Sequence, residues 1–401
     1  MEAVTASPTS DTPTRLARSL VALLAVSCGL TVANIYYAQP LLDTIARDLG
    51  TSESTTGLVL VTTQVGYAAG LVLLVPLGDL LDRRRLVSAV LAVTVVALVG
   101  AAVAPGIAAL AIALGAVGLT SVVAQILVPF AATLAGDEER GRVVGTVMGG
   151  LLLGILLART LSGAIASVGG WRSVFVVAAV LMVVLAVVLW LRLPQVPVTS
   201  GLSYGAALRS VLTLIRTHAV LRRRMAYGAL VFAAFSIFWS AVAFLLAGPD
   251  YGWSEAEIGL LGLIGVAGAL CAQVSGRLAD RGRNRVGTGA WLALTLASFG
   301  VLFLGQHSLA ALLVGVVLLD AGAQGAQVLN QSAVYALDAD ARSRLTTAYL
   351  TLYFVGGAAG SALSTTLYAS HGWAGVCTAG AVVAGLALVL WATELRDAGT
   401  R

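Results

Sequence analysis

Twelve apolar runs of roughly 17 to 25 residues restrict the fold of this chain more than any other feature of its sequence. At about 1.5 Å of rise per residue, a helix of that length crosses the hydrocarbon of a bilayer. Backbone N–H and C=O groups find no water there, so each run must satisfy its own hydrogen bonds as a helix. The runs lie near residues 19–40, 57–78, 86–104, 108–133, 144–167, 172–192, 225–247, 257–276, 286–305, 309–333, 345–369 and 374–393. Composition agrees, with 59% of residues hydrophobic and 11% charged, about half the charge of an ordinary soluble domain. A soluble protein with a large core cannot absorb that much apolar surface. The 45 glycines against nine prolines suit helices packed closely in a membrane. Cys28, Cys271 and Cys377 all fall inside apolar runs, so no disulfide framework is implied. The expected class is an all-α membrane protein.

Residues 1–15, MEAVTASPTSDTPTR, are polar and rich in Ser, Thr and Pro, and read as a disordered tail. A cleaved signal peptide is the rival reading of the first apolar run, but that run is long and lacks a small-residue cleavage site after a short core. All 24 basic residues are arginine. Apart from Arg47, Arg159 and Arg172, every one falls in the tails or in alternate loops on one side. The positive-inside rule makes that side the cytoplasm and predicts that both termini lie there, in the cell's inner (plasma) membrane. The net charge of +5 follows from this topology. Arginines scattered over short loops do not form a nucleic-acid surface.

The two halves of the chain repeat. Residues 50–58, GTSESTTGL, match residues 252–260, GWSEAEIGL, at an offset of 202. Gln125, Arg140, Arg142 and the Gly170-Trp171 pair recur at the same offset as Gln327, Arg342, Arg344 and Gly372-Trp373. The offset spans six helices, an even number, so the copies share one orientation and are parallel repeats about an axis along the membrane normal. The expected division is a tail over 1–15, six-helix bundles over 16–194 and 223–395, a cytoplasmic connection over 195–222 and a second tail over 396–401. Two cytoplasmic loops also correspond, GDLLDRRR at 78–85 and GRLADRGRNR at 276–285. In each, a glycine (Gly78, Gly276) allows close packing at a helix end. The acid (Asp82, Asp280) can meet a helix N-terminus or an arginine, and Arg83 and Arg281 flank it. Such an ion lock forms in one arrangement of the halves and breaks in another.

On these residues the chain resembles the major facilitator superfamily over essentially all of 16–395. The resemblance rests on the twelve helices, the two parallel repeats, the central loop and the Gly-x-x-x-Asp-Arg loop in both halves. The family pattern has a further glycine after Asp-Arg-x. This chain carries Arg85 there, and the second copy places Gly282 one position early. ANIYYAQPLL at 33–42 and GLLLGILLARTLSG at 150–163 are similar to the bacterial drug/proton and sugar-efflux antiporter branch. Gly149, Gly150, Gly154 and Gly163 match the glycines of that branch's helix-five motif, without its Gly-Pro step. The resemblance implies a central cavity lined by helices one, four, seven and ten, open alternately to either side.

Polar residues can be tested against that expectation. Asp320, Gln324, Gln327 and Gln331 follow i, i+4, i+7, i+11 spacing and form one stripe on helix ten. Ser27, Thr31 and Asn34 do the same on helix one; helix four offers Ser121 and Gln125, and helix seven Ser236, Trp239 and Ser240. Helices three, six and twelve are nearly bare of polar side chains, as lipid-facing scaffolds would be. A lone Ser or Thr is commonly glue between membrane helices. Four polar groups in series on one face are costly to leave in lipid and point to a wet cavity. Substrate contacts are accordingly expected from Asn34, Tyr37, Gln125, Trp239, Gln324, Gln327, Gln331 and Tyr353, the aromatic rings giving flat apolar walls with polar tips. Packing seams are the ordinary alternative for the aromatics.

Asp320 lies near the bilayer midplane, where ionisation carries a steep desolvation cost, which makes it a candidate proton carrier. Its counterpart at the 202 offset is Gly118, so the repeat itself does not demand an acid. Arg159 on helix five is the other ionisable group deep in the membrane. It is either a counter-ion to Asp320 or a partner for an anionic group on a substrate. Where proton-linked efflux relatives carry an acid in helix one, this chain has neutral Asn34, leaving proton coupling to Asp320. Enzyme chemistry finds no support: His218, His307 and His371 lie in separate loops, no Cys/His metal spacing occurs, and no Gly-x-x-x-x-Gly-Lys loop exists. No cofactor or metal is expected. The partners expected are a small-molecule substrate, protons and the lipid bilayer, and the expected state is a monomer. The expected function is a secondary transporter exporting a small organic molecule, such as a drug or sugar, against protons. Proton-coupled nutrient uptake and a non-transporting receptor of the same fold are the alternatives.

Overall fold

The structure, a computed structural model, describes residues 17–136, 138–196, 203–265, 271, 274–278, 281–338 and 341–399. Its α-helices in chain order are α1 (Arg18–Ala33), α2 (Leu42–Leu49), α3 (Glu53–Leu73), α4 (Arg83–Ala102), α5 (Ile107–Thr120), α6 (Val123–Leu134) and α7 (Arg140–Gly169). They continue with α8 (Trp171–Arg192), α9 (Tyr204–Thr217), α10 (Ala219–Ala247), α11 (Glu255–Leu260), α12 (Asn284–Leu304), α13 (Leu309–Tyr335) and α14 (Arg342–Gly399). Among the described residues there is no strand, and nine helical stretches are long and apolar enough to cross a membrane.

The joints explain where helices depart from the apolar runs. The first run does not continue as one helix to residue 40. α1 stops at Ala33, and the chain then turns through a 3-10 segment, Gln39–Leu41, before α2. Pro40 sits in that segment, where its missing N–H cannot extend an α-helix. The run over 108–133 divides between α5 and α6 at Ser121 and Val122, and Ser121 Oγ donates to the Val117 carbonyl at 2.7 Å. α14 is two helices meeting at Gly372, whose φ of 60° and ψ of −156° are non-helical. The connection between halves contains α9, capped by Ser203 and tied to the first half by the Tyr204 hydroxyl, which donates to the Leu73 carbonyl at 2.9 Å. α10 already begins at Ala219, inside that connection. The eighth run is represented by α11, a 3-10 turn over Leu261–Gly265 and helical residues 274–278.

The internal repeat is visible in the backbone. Gly50 and Gly252 have φ of 61° and 63°, and Gly170 and Gly372 have φ of 76° and 60°, a left-handed region open to glycine at little cost. Both pairs are 202 residues apart. Ser52 and Ser254, at the same offset, each cap the following helix with a side-chain oxygen. Packing repeats as well. A Cβ at Gly154 would lie 2.3 Å from the Gly29 carbonyl oxygen, and one at Gly356, again 202 residues on, 2.2 Å from that of Ala229. Backbone approach this close replaces side-chain packing with dispersion contact along the helices, as small residues do in membranes.

Large apolar side chains are exposed where a lipid face was expected: Val93, Val96 and Val99 on α4, Val180, Val184 and Val187 on α8, and Val382, Leu386 and Val389 beyond Gly372 in α14. α10 is the most enclosed of the spans. The end of the molecule carrying Arg83–Arg85, Arg140, Arg142 and Arg285 is called here the basic end. At the other, opposite end the halves are latched together. The Thr44 hydroxyl donates to the Glu255 carboxylate. Thr160 Oγ1 donates to the Gly259 carbonyl at 2.9 Å, and Gly163 lies directly against the Glu255 backbone. Contact continues to mid-depth, where Gln64 Nε2 donates to Ser361 Oγ at 2.9 Å and the Tyr67 and Phe354 rings lie 4.2 Å apart. Towards the basic end, α6 packs on α1, α4 and α7 of its own half, and α13 on α10, α12 and α14 of its own.

Candidate substrate and proton site

Asp320 and Arg159 come from different halves and are brought together around one indole. Asp320, 4% exposed near the middle of α13, accepts a hydrogen bond at Oδ1 from Trp239 Nε1 at 3.4 Å. The face of that indole lies against Arg159, with the guanidinium carbon 3.9 Å from the ring centroid. The Tyr36 ring approaches the same guanidinium at 4.9 Å. A cation over an aromatic face is worth up to about 2 kcal/mol when water is excluded, and Arg159 is 4% exposed. Arg159 Nε donates to Gln39 Oε1 at 2.7 Å, which fixes the plane of the guanidinium. Among the described residues, acid and base make no direct ion pair, and Trp239 touches both, Asp320 at its ring nitrogen and Arg159 at its ring face. Sequence spacing brought out Asp320, Arg159 and Trp239 separately but could not show that the indole joins them.

The room for Asp320 comes from a swap between repeats. In the first half Gly118 faces Thr63, and a Cβ on Gly118 would lie 2.0 Å from the Thr63 carbonyl oxygen. In the second half the corresponding positions are Asp320 and Gly265. The glycine has moved to the other helix, so a Cβ on Gly265 would meet Asp320 Oδ2 at 3.3 Å. The acid occupies volume that the first half fills with threonine.

The other expected site residues divide into two groups. Gln327 Oε1 accepts from the Tyr353 hydroxyl at 3.1 Å, and Gln125 Nε2 donates to the Tyr67 hydroxyl at 3.4 Å. The Tyr353 ring stacks on Phe232 at 4.0 Å, Phe232 on Phe235 at 5.8 Å, and Phe235 meets Trp239 at 6.0 Å, giving an aromatic wall along α10 that ends at the Arg159 site. Gln324 and Gln331 are half-buried on the same stripe of α13. Asn34 and Tyr37 are placed differently. Asn34 Nδ2 points to Met182 Sδ on α8 at 3.5 Å, within its own half. Tyr37 is buried, and its carbonyl accepts from Ser162 Oγ at 2.6 Å, which pins the α1–α2 joint to α7.

In the loop of the expected lock, Asp82 caps α4 by accepting from the Arg85 N–H at 2.9 Å, and Arg83 Nη2 pairs with Asp79 at 3.3 Å. A Cβ on Gly78 would touch Ile126 of α6 at 3.1 Å, whereas one at Gly276 meets nothing within 4 Å. Arg281 N–H donates to the Arg277 carbonyl at 3.3 Å; Asp280 lies outside the described residues. Of the helix-five glycines, Gly150 and Gly154 abut α1, Gly163 abuts α11, and Gly149 touches nothing.

Three features escaped the sequence reading. Gln39 reaches Arg159 because α1 breaks before it. Ser361 bridges Gln64 from the first half to Ser240 of α10 at 2.9 Å each, and a lone Gln in the apolar run 57–78 was the available signal. A buried ionic cluster also ties the second half near its basic end. Arg224 reaches Thr288 at 3.0 Å and Glu394 at 3.6 Å, Arg285 also meets Glu394 at 3.6 Å, and the Tyr227 hydroxyl donates to Glu394 at 2.8 Å.

Known proteins resemble this arrangement. The family model described as Major Facilitator Superfamily matches residues 21–334, and again 225–400. The chain belongs to the major facilitator superfamily. It is therefore a multi-pass membrane transporter of that type. It is 47% identical over 376 residues to the Uncharacterized transporter YgaY of Escherichia coli O157:H7, covering 94% of this chain and 95% of that one. It is 38% identical over 386 residues to the Probable transporter SCO4007 of Streptomyces coelicolor, covering 95% and 88%. Among solved structures, a bacterial homolog of the human lysosomal transporter Spinster, in an inward-facing and occupied conformation, superposes with a TM-score of 0.78 at 15% identity, covering 94% of this chain and 96% of that one. At that identity the likeness concerns the superfamily fold alone.

Proposed function

We propose that this member of the superfamily exports a small organic molecule in exchange for protons, by alternating access, and that Asp320 carries the proton. The observation that carries the reading is the position of Asp320: buried at mid-helix, and linked through Trp239 to Arg159 of the other half. A carboxyl there senses both its own protonation and the relative placement of the halves. In the ionised form it is attracted by the Arg159 charge held on the same indole; protonated, it loses that attraction, and the halves are held together less strongly. A two-state rocking motion coupled to protonation follows, since a ligand shifts an equilibrium only by its differential affinity for the two states.

In this reading the basic end, with both termini, faces the cytoplasm of the cell's inner membrane, and the arginine-rich loops support that orientation. The latched opposite end then makes this conformation the one open inward. The twelve-span topology, the bundles over 16–194 and 223–395, the connection over 195–222 and a monomeric state complete the proposal. Substrate lies among Gln125, Gln324, Gln327, Gln331, Tyr353 and Trp239, with Asn34 and Tyr37 entering the site when the halves move. The Gly78-Asp82-Arg83 and Gly276-Asp280-Arg281 loops act as the cytoplasmic lock. Here Asp82 and Arg83 bond locally, as expected with that end parted. Export rather than uptake is supported by the helix-five glycines shared with the efflux branch. The test is proton release from acid-loaded inverted vesicles. Substrate-dependent alkalinisation of the lumen supports antiport, and substrate movement with no proton flux defeats it.

A further inference from the structure

Among the described residues, the Arg159 guanidinium is a buried charged group with an unfilled donor. It is 4% exposed, yet its one hydrogen bond among the described residues runs from Nε to a neutral acceptor, Gln39 Oε1. Nη2 is buried with no hydrogen-bond partner among the described residues. A guanidinium has five N–H donors in a rigid fork, and leaving a buried charged donor unmade is expensive. The acid nearby does not fill the gap: Asp320 accepts from Trp239 instead. Gln39 and the two aromatic rings, at 3.9 and 4.9 Å, hold the group in a fixed plane. A held, charged and unfilled fork is the form of a site awaiting its acceptor, because planar two-oxygen anions match guanidinium geometry.

Resting on the transport reading above, we infer that Arg159 is the anion subsite of the substrate cavity, and that the substrate is an organic oxyanion with a flat apolar body. The charge class follows from the unfilled Nη2. The shape follows from the aromatic row Trp239, Phe235, Phe232 and Tyr353, successive centroids 4.0 to 6.0 Å apart, in which Trp239, Phe232 and Tyr353 are buried and the half-buried Phe235 ring is the one left for a planar body to pack against. Gln327, bonded to Tyr353, places a neutral amide at the far end of that row. The substrate thus supplies Arg159 Nη2 with the partner that no described side chain provides. Guanidinium and carboxylate both contact one indole, so anion binding and the Asp320 site share Trp239.

The test is calorimetric binding to the full-length protein in phosphatidylcholine nanodiscs. The probes are naphthalene-2-carboxylate, naphthalene-2-sulfonate and the neutral isostere 2-naphthamide. Wild type is expected to bind one of the two anions at least tenfold more tightly than the amide. Arg159→Gln, which keeps hydrogen-bonding capacity but removes the charge, is expected to erase that preference by weakening anion binding at least tenfold. Arg159→Lys is expected to keep part of it. Equal binding of anion and amide by wild type overturns the inference, as does a preference that survives Arg159→Gln, or no binding of either anion at millimolar concentration. The wild-type comparison alone decides should the variants fail to fold. Loss of anion binding when phosphatidylglycerol is added assigns the fork to a lipid headgroup and also overturns it. The two readings separate cleanly. Anion-selective binding without flux in vesicles defeats transport but not the subsite, and flux of neutral compounds alone defeats the subsite but not transport.

Discussion

Gly163→Ala should unlatch the opposite end of the molecule. A Cβ at Gly163 would stand 2.1 Å from the Glu255 carbonyl oxygen, against an ordinary separation of about 3.5 Å. α7 and α11 must therefore part by roughly 1.4 Å, the difference between those two distances, or distort. Overpacking of this kind costs about 1–3 kcal/mol. The contact joins the two halves, so the cost falls only on the conformation closed at the opposite end, and the folding of each half is spared. A differential of that size moves a two-state equilibrium by about 5- to 150-fold. The assay is an electron paramagnetic resonance distance between spin labels at Val103→Cys and His307→Cys, exposed positions of the two halves at that end, with the three native cysteines replaced by alanine. The long-distance population should grow in Gly163→Ala. It should not grow in Gly149→Ala, where a Cβ meets nothing within 4 Å. A wild-type distance distribution in Gly163→Ala would refute the argument that this glycine is needed for closure.

Three further outcomes are expected. Asp320→Asn should make transport independent of pH, read as equal uptake into inverted vesicles with and without a pH gradient; retained gradient dependence would place the proton elsewhere. The Thr44 hydroxyl holds the Glu255 carboxyl below the usual glutamate range in the latched state, so the latch should be at full strength above about pH 4.3 and weaken as pH falls through the lowered value. Distance measurements across the opposite end from pH 7 to pH 3 check this, and Thr44→Val should remove the response. Arg224→Leu should lower stability by about 1–3 kcal/mol, because Glu394 loses its buried cation and keeps only Arg285 and the Tyr227 hydroxyl, while Arg224→Met combined with Glu394→Leu should recover most of it. Thermal unfolding in detergent distinguishes these, and a single substitution costing less than about 1 kcal/mol would show the cluster to be solvated.

Much of the fold was legible because bilayer physics ties sequence to structure so tightly. The offset of 202 found in residue identities reappears in the left-handed glycines 50, 252, 170 and 372, since a helix end that needs positive φ keeps its glycine. The lipid-facing scaffolds were legible from the lack of polar groups. Helix breaks were less so. Pro40 marks one, but the division at Ser121 carries no proline or glycine, and a serine bonding its own helix is invisible in a hydropathy pattern. For the candidate site, spacing put Asp320 and the glutamines on one face, because helical period alone determines that. What joined Arg159 to Asp320 was not legible: it depends on how α7 and α13 converge on α10, and tertiary convergence leaves no local mark. Asn34 shows the opposite failure, a polar residue at the expected depth that the broken end of α1 turns towards Met182.

The most direct measurement is the aqueous reach of Gln324, one helical turn from Asp320 on the half-buried stripe of α13. Gln324→Cys, in a background lacking Cys28, Cys271 and Cys377, is treated with a membrane-impermeant thiol reagent from one face of the membrane at a time. Modification from the basic face in this background, shifting to the other face when Gly163→Ala is added, is the predicted result. Modification from neither face in either background, with reaction only by a lipid-soluble reagent, would contradict a hydrated pathway between the halves.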